Sequence, residues 1–231
     1  SNLAEDISDF IKFNEEPLPT PSPYAQYKVF ELAKEKKITV LLDGQGADEL
    51  FAGYPYFYGF LVKGLLKKGY FLSAIREVLQ LFQSGFYNVA FFSIIFLFLP
   101  ISIQKAYFLK RTCASEEILQ DKQIETNFFD KYYSCNSLHE ALEFHLNYKL
   151  EHLLKWGDKN SMAHSREGRV PFLDPDFMKF VFTLPESFIL SKGRTKLTLR
   201  YAMDDLLPKE ISDRRDKIGF STPENDWLRA S

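Results

Sequence analysis

ITVLLDGQGADELFAGY, residues 38–54, joins a short apolar run to a turn rich in glycines and acids. The run at residues 38–42 has the length of a strand and contains β-branched residues. It lacks the alternation of polar and apolar residues, which is typical of a parallel strand covered on both faces. The two glycines that follow permit a tight turn, and the residues after them enter a helix. This stretch therefore predicts one buried parallel strand that leads through a turn into a helix.

The turn after this strand is the first segment that carries chemistry. Glycines just past the carboxyl end of a strand let the backbone approach a ligand closely, and open α/β sheets bind ligands at that place. Asp48 and Glu49 supply hard oxygen ligands, which suit Mg²⁺ held jointly with substrate phosphates. The alternative is a structural turn whose two carboxylates complement a helix dipole. The turn alone favours neither reading, because short glycine motifs recur by chance.

Helices are predicted for most of the remaining chain. Four prolines at residues 17–23 hold that segment extended, and Ser22 is predicted to cap a helix of about four turns. Residues 60–135 form apolar segments separated by glycines and a proline, which predicts helices joined by short turns. A capping box at Ser137 and Glu140 predicts the start of a long helix. Three further helix starts are predicted, at Asp174, Thr195 and Thr222.

Only one strand is convincing in the sequence. A parallel strand by itself leaves its backbone groups unpaired, so partner strands are required. The sequence leaves two alternatives open: the partners lie outside this sequence, or they lie in segments whose pattern hides them.

Composition narrows the class of protein. The chain has 231 residues, 45% of them hydrophobic and 26% charged, which is typical of a soluble globular protein and excludes disorder. The 29 basic and 31 acidic residues give a net charge of −2, so neither nucleic acid nor an acidic membrane is an expected partner. The apolar run at residues 89–103 is interrupted by Pro100 and is shorter than a bilayer span of about 20 residues. We predict that this run is buried and that the protein is cytoplasmic, without a signal peptide.

Two charged segments are further candidates for chemistry. In the first, Glu167 and Arg169 could pair with each other or with Lys159, and charge statistics favour such a structural network over a catalytic role. In the second, Lys217 lies in a basic cluster ahead of a glycine and a phenylalanine. A solvated charge run is the usual explanation. The functional alternative places Lys217 over a phosphate, where it would neutralise charge that develops during nucleotidyl transfer.

Three motifs occur together in a recognisable order. They are DGQGADELFAGY at residues 43–54, SMAHSREGRVPFLD at 161–174 and RDKIGF at 215–220. In this order they resemble the synthetase domain of glutamine-dependent asparagine synthetases. The resemblance covers residues 14–54 and 155–228, whereas residues 60–135 match only as a helical filler. It implies a mostly α fold with a short parallel β element, similar to the C-terminal part of an adenine nucleotide α-hydrolase-like (PP-loop ATP pyrophosphatase) α/β domain.

The resemblance also implies an activity and a set of site residues. Asparagine synthetases activate the side-chain carboxylate of aspartate with ATP and Mg²⁺, and ammonia then attacks the aspartyl adenylate. Lys217 would stabilise the adenylation transition state. This prediction requires Lys217 and the glycine turn at residues 43–49 to contact the same bound nucleotide. The resemblance also implies that Asp43 and Gly44 bind ATP and that Asp48 binds the metal. Four further residues would line or brace the pyrophosphate and aspartate side: Lys159, Glu49, Glu167 and Arg169. Of these four, Lys159 and Glu49 are counted among the catalytic residues.

The chain also departs from the pattern of this family. It contains no pyrophosphate-binding S-G-G-x-D-S loop and no N-terminal catalytic cysteine followed by a glutaminase domain. Where the family commonly has Ser-Gly-Glu, this chain has Asp43, Gly44 and Gln45. We therefore expect residues 1–231 to be a single truncated asparagine synthetase domain without its first strands, inactive by itself. Ammonia would come from glutamine through the absent glutaminase domain, and the full-length protein could be a homodimer.

Two other functions compete with this one. A related amidotransferase would use the same adenylating site on another carboxylate, such as a surface-polysaccharide precursor or the substrate of a ring-closing lactam synthetase. A non-catalytic helical interaction module would retain the motifs without turnover. The sequence upstream separates these classes, since an N-terminal cysteine and an S-G-G-x-D-S loop would support the enzyme.

Overall fold

The computed structural model describes residues 3–16, 18, 20–82, 87–110, 127–214 and 222. The chain folds into two compact units. The described residues of the first unit lie within 1–46 and 147–178, together with residue 222, and those of the second lie within 47–146 and 179–214.

The first unit contains a two-stranded parallel sheet and helices packed against one another. Its elements are α1 (Leu3–Asn14), α2 (Ser22–Glu35), β1 (Val40–Leu42), α10 (Leu150–Ala163), β2 (Glu167–Arg169) and a 3-10 turn (Pro171–Leu173). Helix α10 packs on α1, α2 and β2. The aromatic core of this unit consists of Phe10, Tyr24 and Tyr27, with the ring of Phe10 in edge contact with both tyrosines at 5.4 Å.

The predicted strand is confirmed at Val40–Leu42, and its partner is found within the chain. Strands β1 and β2 are parallel, with Val40 opposite Glu167 and Leu42 opposite Arg169. The partner therefore lay in a segment whose charged sequence hides a strand. The expectation that β1 is covered on both faces is wrong for the described residues, because the side chain of Leu42 is 75% exposed.

The second unit is helical in its described residues. Its elements are α3 (Ala47–Leu50), α4 (Phe57–Lys67), α5 (Phe71–Leu81), α6 (Tyr87–Leu97), α7 (Ile101–Leu109), α8 (Asn127–Ser134), most of α9 (Leu138–Tyr148), α12 (Glu186–Ile189), α13 (Leu197–Ala202) and α14 (Lys209–Ser212). Helix α11 (Pro175–Thr183) begins in the first unit and ends in the second. Helix α4 lies at the centre, where it packs on both α5 and α6. The buried glutamate Glu186 accepts hydrogen bonds from the N–H groups of Leu138 and His139 and so caps α9.

The apolar run at residues 89–103 is only partly buried, which corrects its prediction. It forms parts of α6 and α7 on either side of Pro100, and Phe92, Ile95 and Phe98 are about half exposed. Because α6 is apolar all round, its composition could not show which face packs inward. In the part of the chain that the structure describes, every helix is too short or too polar to cross a bilayer.

Helix boundaries follow the predictions in part. Asp174 caps α11, where its Oδ1 accepts hydrogen bonds from the N–H groups of Asp176 and Phe177. Ser137 caps α9, but the predicted long helix is divided into α9 and α10. Ser22 is the first residue of α2 rather than its cap, and the helix predicted at Thr195 begins at Leu197. The helix predicted from Thr222 lies outside the described residues.

His164 makes the first unit sensitive to acid. Its ring is buried against Tyr27, with centroids 4.3 Å apart, and among the described residues its Nε2 has no hydrogen-bond partner. Burial lowers the pKa of His164 below its ordinary value of 6.5. The unfolded chain therefore binds a proton at His164 more readily than the folded chain does. The stability contributed by the neutral ring is complete above pH 6.5 and is lost as the pH falls below it.

We expect His164→Phe to weaken this acid sensitivity, because phenylalanine fills the site without titrating. Melting temperatures of both proteins at pH 7.5 and pH 5.5 provide the measurement. The original chain should lose more stability than the variant over this interval. Equal losses would mean that other groups set the acid response.

Candidate functional site

Asp43 stands at the carboxyl end of β1 and is held at both its backbone and its side chain. Its N–H donates to the carbonyl oxygen of Arg169 at 2.7 Å, which extends the pairing of the two strands. Its Oδ2 accepts a hydrogen bond from Nε2 of Gln26 at 3.0 Å. The carboxylate is therefore fixed by α2 at the edge of the sheet.

A chain of buried amides extends inward from this contact. Nδ2 of Asn160 donates to Oε1 of Gln26 at 3.2 Å and also to the carbonyl oxygen of Pro23 at 2.9 Å. Oδ1 of Asn160 accepts from Nδ2 of Asn14 at 3.2 Å. All three amide residues are buried. We call Asn14, Asn160 and Gln26 the amide relay.

Sequence analysis missed the amide relay. Its members lie on three helices that are far apart in the chain, and a lone amide in a helix has no distinctive pattern. Only the fold places their donors and acceptors next to one another.

A cavity of about 250 Å³ opens beside Asp43 in the first unit. One part of its lining is apolar, and the other part offers hydrogen-bonding groups. The apolar side chains are Phe30, Leu153, Leu154 and Val170, and the polar ones are Asp43, Gln45, Asp158 and Ser161. Small cofactor sites combine apolar walls with a few polar groups in this way.

The two glycines of the turn have different structural roles. Gly46 adopts a φ of +89°, and a Cβ there would lie 2.3 Å from Cδ2 of Leu173. Gly44 has open space around the position of a Cβ, with no atom within 4 Å. The fold thus requires glycine at residue 46, whereas it tolerates a side chain at residue 44.

The charged residues of the second motif pair in two separate places. Nε of Arg169 contacts Oε1 of Glu167 at 2.7 Å, and both side chains are more than half exposed. Nζ of Lys159 instead donates to Oε2 of Glu15 at 2.5 Å and to the carbonyl oxygen of Asn14 at 2.9 Å. The hydrogen bond from Lys159 lowers the pKa of Glu15. Glu167 and Arg169 therefore pair with each other, whereas Lys159 pairs with Glu15.

Asp48 and Glu49 belong to the second unit, on the short helix α3. Oδ1 of Asp48 lies 2.9 Å from Nζ of Lys196, and the two side chains are 27% and 29% exposed. Glu49 is buried and accepts a hydrogen bond from the Tyr54 hydroxyl at 3.0 Å. Burial, reinforced by the nearby Glu49 carboxylate, raises the pKa of Tyr54. Asp48 is therefore partly exposed, with its Oδ1 buried against Lys196, whereas Glu49 can brace the turn only from inside.

Lys196 is a functional candidate that sequence analysis missed. It has a left-handed backbone, with φ 56° and ψ 38°, and its N–H donates to the carbonyl oxygen of Phe51 at 3.0 Å. A Cβ on Gly53 would lie 1.7 Å from Oδ1 of Asp48 and 2.7 Å from Cε of Lys196. Gly53 thus leaves the space that the ion pair fills. Asp48 and Lys196 are 148 positions apart, so no local pattern could have linked them.

The described residues contain no ready-made metal cage and do not include the C-terminal lysine. Among them, no group of three or more His, Cys, Asp or Glu side chains comes together as ligands. Lys217 lies outside the described residues, so its approach to the glycine turn stays a prediction.

Comparisons with known proteins agree with the motifs. The family model described as "Asparagine synthase" matches residues 1–231. Asparagine synthetase [glutamine-hydrolyzing] 1 of Bacillus subtilis (strain 168) is 27% identical, over 93% of this chain and 35% of the relative. The putative asparagine synthetase [glutamine-hydrolyzing] of Mycobacterium tuberculosis (strain ATCC 25618 / H37Rv) is 26% identical, over 97% of this chain and 36% of the relative.

The chain thus spans about a third of the length of these curated relatives. A shorter match, to the asparagine synthetase [glutamine-hydrolyzing] of Cricetulus griseus, is 37% identical over 31% of this chain and 14% of the relative. No solved structure gives a significant match. Because the family model extends over every residue, the chain belongs to the asparagine synthase family.

Proposed function

We propose that this chain is part of an enzyme that uses ATP to convert aspartate into asparagine. The observation that carries the proposal is the turn after β1, where Asp43 borders a cavity and Gly44 leaves room for a ligand. Family membership and the names of the relatives support the same reaction. The proposed fold is that of a PP-loop ATP pyrophosphatase domain, of which β1 and β2 would form part.

The reaction has two steps. An oxygen of the aspartate side-chain carboxylate attacks the α-phosphorus of ATP, and the bond to the leaving pyrophosphate breaks. Ammonia then attacks the carbonyl carbon of the aspartyl adenylate, and AMP leaves with the original carboxylate oxygen. The first step develops negative charge around the α-phosphorus, so cations and N–H donors are required there.

In the first unit, Asp43 and Gly44 would bind ATP. The free space at Gly44 would let the nucleotide approach the backbone, as glycine turns at strand ends do elsewhere. The exposed Glu167 and Arg169 would line the pyrophosphate and aspartate side. Lys159 would act in catalysis only after it leaves Glu15, because the structure pairs it with that residue.

In the second unit, Asp48 would hold Mg²⁺. Its carboxylate is a hard oxygen ligand and is partly exposed, but it stands beside Lys196 and belongs to no described cluster of acids. This environment fits a Mg²⁺ ion that keeps its waters and binds mainly through substrate phosphates, rather than one caged by protein alone. When bound, the ion would neutralise charge on the phosphates. Glu49 would brace the turn through Tyr54.

Lys217 would stabilise the adenylation transition state as a point charge near the α-phosphorus. Ammonia would come from glutamine through a glutaminase domain of the longer polypeptide, and the present chain alone would be inactive. The supporting fact is that the chain spans about a third of its relatives, whose names include glutamine hydrolysis. A cytoplasmic location would supply both aspartate and ATP.

The two glycines provide a test of the nucleotide site. In the complete gene product, Gly44→Val should leave the melting temperature unchanged but raise the KM for ATP about tenfold or more, because the side chain would occupy the space of the ligand. Gly46→Ala should instead lower stability by about 1–2 kcal/mol or more, because of its left-handed backbone and the clash with Leu173. Aspartate-dependent exchange of pyrophosphate into ATP and thermal unfolding are the measurements. An unchanged KM in Gly44→Val would contradict ATP binding at the turn.

A further inference from the structure

The cavity beside Asp43 favours the uncharged part of a nucleotide. Two of its lining residues, Asp43 and Asp158, are acids, and none of the described residues that line it is a lysine or arginine. A polyphosphate would be repelled by these carboxylates. A nucleoside is neutral and carries several hydrogen-bond donors, which carboxylates accept.

The walls of the cavity suit the two parts of a nucleoside. Phe30, Leu153 and Leu154 provide apolar surface for a flat base. Asp43 lines the same cavity and its carboxylate is a hydrogen-bond acceptor, while a ribose presents two neighbouring hydroxyl groups as donors. Both ribose hydroxyls can donate to one carboxylate.

The position of Asp43 also favours the ribose. Asp43 directly precedes Gly44, where the proposed function places the nucleotide against the backbone. Because the ribose connects the base to the phosphates, a base in the cavity and a nucleotide against Gly44 would bring the ribose hydroxyls close to Asp43. In other parallel sheets, an acidic residue near the end of a strand binds a ribose hydroxyl.

The amide relay fixes the acceptor before any ligand arrives. Gln26 donates to Oδ2 of Asp43 at 3.0 Å, and Gln26 is itself held by Asn160 at 3.2 Å. Because Asn160 is fully buried and paired on both sides, the Gln26 amide has little freedom to turn away. A preorganised acceptor loses less entropy on binding than a mobile one.

We infer that Asp43 is the residue that selects ribonucleotides at this cavity, by accepting hydrogen bonds from the ribose hydroxyls, and that Gln26 is its positioning residue. The inference rests on the proposed function, because the proposed function is what identifies the ligand as a nucleotide. It adds the part of the nucleotide that is recognised and the groups that recognise it.

The test compares four nucleotides in the complete gene product: ATP, 2′-deoxyATP, 3′-deoxyATP and ITP, which keeps the ribose but lacks the exocyclic amino group. Aspartate-dependent exchange of pyrophosphate gives a KM for each. We expect at least one deoxynucleotide to have a KM about tenfold higher than ATP, and ITP to stay within about threefold of ATP.

Variants assign this selectivity to residues. Asp43→Ala should raise the KM for ATP about tenfold, to the value of the deoxynucleotide that the original protein discriminates against. The KM of the variant for that deoxynucleotide should be unchanged. Asp43→Asn keeps one acceptor oxygen and should retain part of the selectivity. Gln26→Leu should lower the ratio of the KM for that deoxynucleotide to the KM for ATP, although the Asp43 carboxylate is still present. Asp9→Ala, at an exposed acid on α1, is the matched control and should change neither KM.

Each outcome decides the inference. Equal KM values for ATP and both deoxynucleotides, or selectivity that survives Asp43→Ala, would overturn it and leave the proposed function intact. Discrimination against ITP alone would assign Asp43 to the base and would overturn the ribose assignment. If no nucleotide supports exchange, the proposed function fails, and the inference fails with it. Should Asp43→Ala not fold, as judged by thermal unfolding, Asp43→Asn provides the same comparison.

Discussion

In the complete gene product, Lys217→Ala should lower aspartate-dependent pyrophosphate release about 10²–10³-fold, the usual loss when one charge-stabilising donor is removed from a transition state. The reason is that Lys217 would face the crowded, anionic α-phosphorus during adenylation. Glutaminase activity should be unchanged, since that reaction does not involve the α-phosphorus. Parallel assays of pyrophosphate and glutamate release provide the measurement.

Lys209→Ala is the matched control for this variant. Lys209 is an exposed lysine on α14, eight positions earlier in the chain, and has no proposed role in binding or catalysis. It should keep the full rate. A Lys217→Ala protein that releases pyrophosphate as fast as the control would remove Lys217 from the catalytic residues.

The largest expected effect on stability is that of Asn160→Leu. Leucine has nearly the same size but removes the centre of the amide relay. It would leave Oε1 of Gln26, the carbonyl oxygen of Pro23 and one contact of Asn14 without their partner. Each buried polar group that loses its partner costs about 1–3 kcal/mol, so we expect a loss of about 3 kcal/mol or more. Urea unfolding of the chain measures it.

Asn147→Leu makes the same chemical change at an exposed position near the end of α9 and should alter stability by less than about 0.5 kcal/mol. If Asn160→Leu were no less stable than this control, the amide relay would contribute nothing to the fold. In that case the amide relay would not hold Asp43 in place either.

The sequence predicted the local elements of the site better than its contacts. The strand at Val40–Leu42, the turn after it and the start of α11 at Asp174 all follow from signals within a few residues. Strand β2 could not be predicted in the same way, because Glu-Gly-Arg has low strand propensity and pairs only where the fold presents β1. At β2, the local sequence does not favour a strand, and the tertiary contact with β1 determines the secondary structure.

The contacts that hold the candidate site depend on residues distant in the chain. The ion pair of Asp48 with Lys196 and the hydrogen bond of Gln26 with Asp43 each require particular helices to pack side by side. Composition and periodicity report which face of a helix is apolar, but not which polar group on another helix it meets. The burial of Glu49 was likewise not predictable, since an acid in a glycine turn is usually solvated.

The central claim, that ATP activates a carboxylate by adenylation, is tested most directly by isotope transfer. Aspartate labelled with ¹⁸O in its side-chain carboxylate is turned over with ATP, Mg²⁺ and a nitrogen source by the complete gene product, and the products are analysed by mass spectrometry. We predict one ¹⁸O atom in each AMP formed and none in pyrophosphate. Label in inorganic phosphate with formation of ADP, or AMP without label, would contradict the account.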